Sequence, residues 1–138
     1  MRENADRLFD RVLRARESGD SASVGQFAPM AILAYQNAGV LDADGQYHLS
    51  VLHTVSGDPA AGLAAARVIL SASPDHLLGL SAAASAAVAQ GDSLAARQFY
   101  QHFANVFANQ RGKALPEYQD HAQLLAGLET EVKNYLAR

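Results

Sequence analysis

Two Gly-Asp pairs, Gly57-Asp58 and Gly91-Asp92, stand 34 residues apart, each between two segments of helical periodicity. That length holds a helix, a turn and a second helix, and recurrence at a fixed period is the signature of stacked helical arrays. Glycine tolerates the left-handed conformation that ends a helix, and Asp offers a carboxylate to cap the next one. A third pair, Gly19-Asp20, precedes Gly57 by 38 residues, which predicts a first unit with four extra residues around 21–24. The alternative to an array is an Ala-rich bundle in which such turns recur by accident, since Gly-Asp is common punctuation.

Composition favours helix: Ala is abundant, β-branched and aromatic residues are few, and strand-type alternation is hard to find. At 138 residues the chain is long enough for one domain with its own core. The absence of Cys excludes disulfides, thiolate catalysis and cysteine-ligated metal centres. Cytosolic and periplasmic proteins alike can lack Cys, so the compartment stays open. The net charge of −3 is unclustered and supplies no basic stripe, so a nucleic-acid partner is not expected. The longest nearly uncharged run, Leu77 to Gln90, is too short to span a bilayer, so direct membrane insertion is not expected. The polar, acidic start does not read as a secretory signal.

Seven helices are predicted. The first runs from about Ala5 to Ser18, with Leu8, Val12 and Ala15 in one stripe. Pro29 would cost about 3 kcal/mol in a helix interior. The second helix should therefore begin near Ala28 or kink there, with Met30, Ile32, Leu33, Ala34 and Tyr35 as its apolar face. A third is expected over roughly 44–56, lined by Tyr47, Val51, Leu52 and Val55. Asp58 caps a fourth, with Pro59 at its first position and Leu63, Ala66, Ile69 and Leu70 inward. Ser73-Pro74-Asp75 opens a fifth, roughly 75–90, made mostly of small residues. Asp92 caps a sixth, roughly 92–109, whose Phe99, Phe103 and Phe107 face the last helix. Pro116 starts that last helix, to about Ala137, with Tyr118, Ala122, Leu125, Leu128, Val132 and Leu136 as its stripe. The expected fold is all-α: three antiparallel pairs plus one helix in a single domain, 1–138. Its units would lie at about 5–41, 44–77 and 78–111, with a closing helix at 116–137.

The stretch from Gly57 to Pro74 resembles the second half of a tetratricopeptide repeat (TPR). Gly-Asp stands at the turn. Gly62, Ala66, Ile69 and Pro74 take the places where that family has a small residue, an aromatic or small residue, a small residue and a closing Pro. Ala96, Tyr100, Phe103 and Ala108 take them in the next unit, with Phe103 large where the pattern is small and Ala108 in place of Pro. The first halves depart further. Gln46, Leu49-Ser50 and His53, then Leu80, Ala83-Ala84 and Ala87, stand where the family prefers an aromatic, Leu-Gly and Tyr. The resemblance covers about residues 5–108 and implies a right-handed solenoid. Small residues such as Ala64, Ala84 and Ala87 would sit at close helix contacts, and residues 117–137 would form the polar-backed capping helix.

The resemblance also implies a non-catalytic protein–protein interaction module. Such an adaptor or scaffold holds a peptide or partner subunit in a concave groove lined by the first helix of each pair. The positions carried over are Asp6, Phe9, Leu13 and Arg16 in the first helix and Asp44, Tyr47, His48, Val51 and Thr54 in the third. The fifth contributes Leu78, Ser81, Ala82 and Ser85. One subgroup clamps a C-terminal carboxylate with Lys and Asn; here those places hold Phe9, Leu13, His48, Leu78 and Ala82, which argues against a chaperone-tail receptor. For Phe9, Leu13 and Val51 a place in the core is the competing and plainer reading. The second functional expectation is a self-associating structural or accessory subunit of a larger assembly, membrane-anchored or not, with Ala-rich faces stacking on a second copy.

No motif predicts catalysis, so the chain is not expected to be an enzyme. The histidines, His48, His53, His76, His102 and His121, form no His-x3-His or His-Glu-x-x-His pairing, so neither a metal nor a cofactor is expected. Asp42-Ala43-Asp44-Gly45 is similar to the opening of a calcium loop but lacks its later ligands and closing Glu. There is no phosphate-cradling Gly-x-x-x-x-Gly-Lys and no Gly-x-Ser-x-Gly elbow. Arg7, Arg11 and Arg14 place like charges close together, a surface suited to an acidic partner.

Overall fold

One turn is built three times along the chain. In a computed structural model describing residues 1–138, Gly19, Gly57 and Gly91 have φ of +75°, +94° and +76°. The amide after each glycine donates back to the carbonyl five residues earlier: Asp20 to Ala15, Asp58 to His53 and Asp92 to Ala87. Those bonds satisfy carbonyls that a helix end leaves open, in the Schellman pattern. The Asp side chain then accepts from an amide of the next helix's first turn, that of Ser23, Ala61 or Ala95. One residue pair thus closes one helix and opens another, and a turn this short leaves only an antiparallel return.

The chain is all-α, with eight helices and no strand. They are α1 (Arg2–Glu17), α2 (Ser21–Gln36), α3 (Ala43–Val55), α4 (Pro59–Ala72), α5 (Leu77–Ala89), α6 (Ser93–Gln110), α7 (Pro116–Asp120) and α8 (Ala122–Leu136). α1 packs on α2, α3 on α4 and α5 on α6; α3 also meets α1, α2 and α5, α4 meets α5, and α8 meets α5 and α6. One apolar cluster joins Phe9, Val12, Ala28, Ala31, Tyr35 and Leu52. A larger one joins Tyr47, Ile69, Leu77, Leu78, Phe103, Phe107, Tyr118, Leu125 and Val132. α5 is its axis: Leu77 to Ala84, Ala86 and Ala87 are all buried. A helix that is apolar on every side belongs in a core, and its alanines let four other helices approach it.

The structure corrects several expectations. α2 starts at Ser21 and continues through Pro29. Pro29 and Gly25, whose carbonyl loses its partner, both lie on the exposed side, where water can serve that carbonyl. The inner face of α2 is Ala28, Ala31 and Tyr35, while Met30 and Leu33 are 49% and 57% exposed. Small residues face α1 because the two helices lie close there. Ala64 is exposed, so it is not a close-contact residue. α5, expected from roughly residue 75, begins at Leu77 with His76 as its cap.

The last helix is two, which makes eight in place of seven. The chain breaks at His121, whose φ of −115° and ψ of 30° are not helical. Two anchors flank the break. Tyr118 Oη accepts the first amide of α5, at Leu77, over 2.8 Å and donates to Gln110 Oε1 over 3.0 Å. Three residues later the His121 ring reaches Asp44 on α3 over 2.7 Å.

Gly127 sits in the exposed interior of α8, and an added Cβ there would meet nothing within 4 Å. Gly127→Ala is expected to stabilise the fold by about 0.5–1 kcal/mol, because Ala loses less backbone entropy in a helix. Urea unfolding monitored by circular dichroism measures it; a destabilised variant would mean that the outer face of α8 is covered.

Candidate binding cleft and its polar margin

Successive first helices share a face, and α8 lies opposite the first of them. Between them runs a cleft of about 860 Å³. α1 gives Leu13, Arg16 and Glu17; α3 gives Tyr47, Val51, Thr54 and Val55; α5 gives Ala82, Ser85, Val88 and Ala89. Tyr100 of α6 and Leu124, Leu128 and Glu131 of α8 complete the lining. The 3.6-residue period explains the selection. On α3, positions 47, 51, 54 and 55 form one stripe, as do 82, 85 and 89 on α5.

Of the groove residues expected from sequence, Arg16, Tyr47, Val51, Thr54 and Ser85 come together in this cleft, with Leu13 and Ala82. Six others do not line it. Phe9 is buried and stacks on His48, with ring centroids 3.9 Å apart. Ser81 is buried and donates to its own helix at Leu78 O. Asp44 and His48 stand on the first half of α3 in a separate polar cluster. Leu78 is wholly buried, and Asp6 belongs to that cluster too. The α8 wall was missed because Leu124 falls outside the stripe of its helix. The stripe identifies what α8 packs on, not what its edge overlooks.

The cleft has an apolar floor with hydroxyls at Tyr47, Thr54, Ser85 and Tyr100, one cation at Arg16 and carboxylates at Glu17 and Glu131. Burial, followed by the Glu131 carboxylate, pushes the Tyr47 and Tyr100 phenols above their ordinary pKa. Both therefore stay neutral at physiological pH and act as hydrogen-bonding groups. No histidine lines the cleft.

The polar cluster borders the cleft at Tyr47, whose ring centroid is 5.7 Å from that of His121. Arg2 bonds to Asp6, Asp42 and Asp44 at 3.0–3.1 Å. Tyr35 Oη donates to Asp6 and lies 2.8 Å from His48 Nδ1. Burial would raise the Asp44 carboxyl, but the hydrogen bond from His121 and neighbouring positive charge hold it below the ordinary range. That same bond raises His121, whereas burial lowers His48. Asp42 caps α3 by accepting from Gly45 N over 2.8 Å, so the stretch that resembled a calcium loop is the first turn of a helix.

Comparison with protein-family models, with curated proteins and with solved structures finds no match to this chain.

Proposed function

We propose that this chain is a TPR-like helical array that holds a peptide or a partner subunit in the cleft between α1, α3, α5 and α8. The observation that carries the proposal is the lining: the first helix of each of three pairs contributes one stripe to a single open surface. The thrice-repeated Gly-Asp turn supports a repeat origin. An apolar floor edged by hydroxyls and both signs of charge suits an amphipathic segment that sets apolar anchors on Val51, Ala82 and Val88. On this reading the protein is an adaptor rather than an enzyme, with no nucleic-acid partner. The competing role, self-association through Ala-rich faces, has less to stand on. Ala82 to Ala84, Ala86 and Ala87 are buried inside the chain.

A photo-cross-linker tests this reading. Ser85 is exposed in the cleft, and Leu94 is exposed on α6 outside it. Benzoylphenylalanine at Ser85 is expected to capture a discrete partner from the source cell, and the same group at Leu94 is not. Val51→Arg, which charges the floor, should abolish the capture. Identical products from both sites, or capture that survives Val51→Arg, would remove the cleft from the account.

A further inference from the structure

His48 is held in one tautomer by its neighbours. As a carboxylate, Asp6 only accepts, so the single proton of Tyr35 Oη goes to Asp6. His48 Nδ1, 2.8 Å from Oη, must then be the donor. That leaves Nε2 with its lone pair. The His48 side chain is only 8% exposed, and Nε2 has no hydrogen-bond partner. It lies 3.4 Å from Asp44 Oδ1, a second electron-rich atom. An orphaned buried acceptor of this kind normally has a partner.

We infer that Asp44, His48 and His121 form a binding site for a divalent cation of the zinc class, with its fourth position open. Asp44 and His48 lie one turn apart on α3, and His121 comes from the α7–α8 junction. Their donor atoms all lie within 4.8 Å of one another. At zinc–nitrogen and zinc–oxygen distances of about 2.0–2.2 Å and tetrahedral angles, two ligand atoms stand about 3.4 Å apart. That is the separation of His48 Nε2 from Asp44 Oδ1. His121 Nε2, at 2.7 Å, now donates to Asp44. Binding needs the other tautomer of His121, with its proton on Nδ1 and the Nε2 lone pair on the metal, and the pair widens.

The surroundings fit. A metal-bound His commonly donates its other N–H toward a carboxylate, which fixes the ring and raises its basicity. Here His48 does so through Tyr35 to Asp6. Three carboxylates, Asp6, Asp42 and Asp44, surround one guanidinium, Arg2, so these four side chains leave two negative charges in excess. A divalent cation balances it. The ion would tie the start of α8 to α3 and so fix the width of the neighbouring cleft.

The test uses the whole chain, stripped with chelator and titrated with ZnCl₂ by calorimetry and with CoCl₂ by absorption. One equivalent per chain is expected, with the strong visible bands of tetrahedral cobalt. His121→Ala, a half-buried position, should weaken zinc at least about 100-fold with unchanged circular dichroism, and Tyr35→Phe by about 10–100-fold. His102→Ala, at a ring paired with Asp75 outside the cluster, should bind like the parent. Weak or non-stoichiometric binding by the parent would overturn the site, and so would octahedral cobalt. If His121→Ala fails to fold, the cobalt spectrum of the parent decides alone. If that variant binds as tightly as the parent, the metal sits elsewhere and the inference fails.

Discussion

Phe103→Ala is expected to cost about 3–5 kcal/mol, the range for emptying an aromatic site in a packed core, and to lower Tm by on the order of 10 °C. Phe103 is 1% exposed and stacks on Phe107 with centroids 5.4 Å apart. It belongs to the cluster that holds Tyr118, Leu125, Leu128 and Val132 of the C-terminal segment. A smaller residue at this place would leave α7 and α8 without the surface they dock on. The loss should therefore be larger than for Phe99→Ala, since Phe99 is only partly buried. Chemical denaturation measures both. A cost below about 1 kcal/mol would mean that the C-terminal helices do not depend on Phe103.

Gly62→Val is expected to cost about 3 kcal/mol, the upper part of the range for overpacking. A Cβ at Gly62 would lie 2.2 Å from Thr54 Oγ1 and 2.9 Å from the Ser50 carbonyl oxygen. Thr54 can rotate away. The Ser50 carbonyl belongs to the α3 backbone and cannot. The contact is locked further by Ser50 Oγ, which donates to Gly62 O over 2.6 Å. α3 and α4 must therefore separate to admit the side chain, and Val51 and Thr54 would carry the cleft floor with them. Gly62→Ala should cost less, because its better helix propensity returns up to about 1 kcal/mol. Thermal melts of the two variants give the comparison, and a Val variant as stable as the parent would contradict a close α3–α4 contact.

The parts of the fold legible in the sequence are those set by local chemistry. Gly-Asp at 19–20, 57–58 and 91–92 fixed three turns, because a positive φ and an N-cap carboxylate are properties of those residues alone. The row Phe99, Phe103 and Phe107 pointed to the last helix, since a four-residue spacing defines a face. What escaped depends on tertiary context. Pro29 is tolerated because it sits on the solvent side of α2, which propensity cannot report. Met30 and Leu33 looked like the core side because they are the larger apolar residues, yet the approach of α1 selects Ala28 and Ala31. The contacts that flank the break at His121 span 41 and 77 residues, Tyr118 to Leu77 and His121 to Asp44. For the same reason the Asp44, His48 and His121 cluster matched no local metal pattern. Seven of the thirteen candidate groove residues line the cleft, the ones whose helical phase put them beside one another. Phe9, His48, Leu78 and Ser81 lie off it because their side chains are buried, and Asp6 and Asp44 because theirs turn toward Arg2.

Everything proposed for the cleft requires that the C-terminal segment folds back across the first helices. The nearest witness is His121, whose ring centroid lies 5.5 Å from that of His48 and 5.7 Å from that of Tyr47. Nuclear Overhauser spectra of the free protein, with aromatic rings assigned, should show cross-peaks from His121 to both rings. A fully assigned spectrum with His121 silent toward α3 would leave the cleft without its fourth wall and contradict the account.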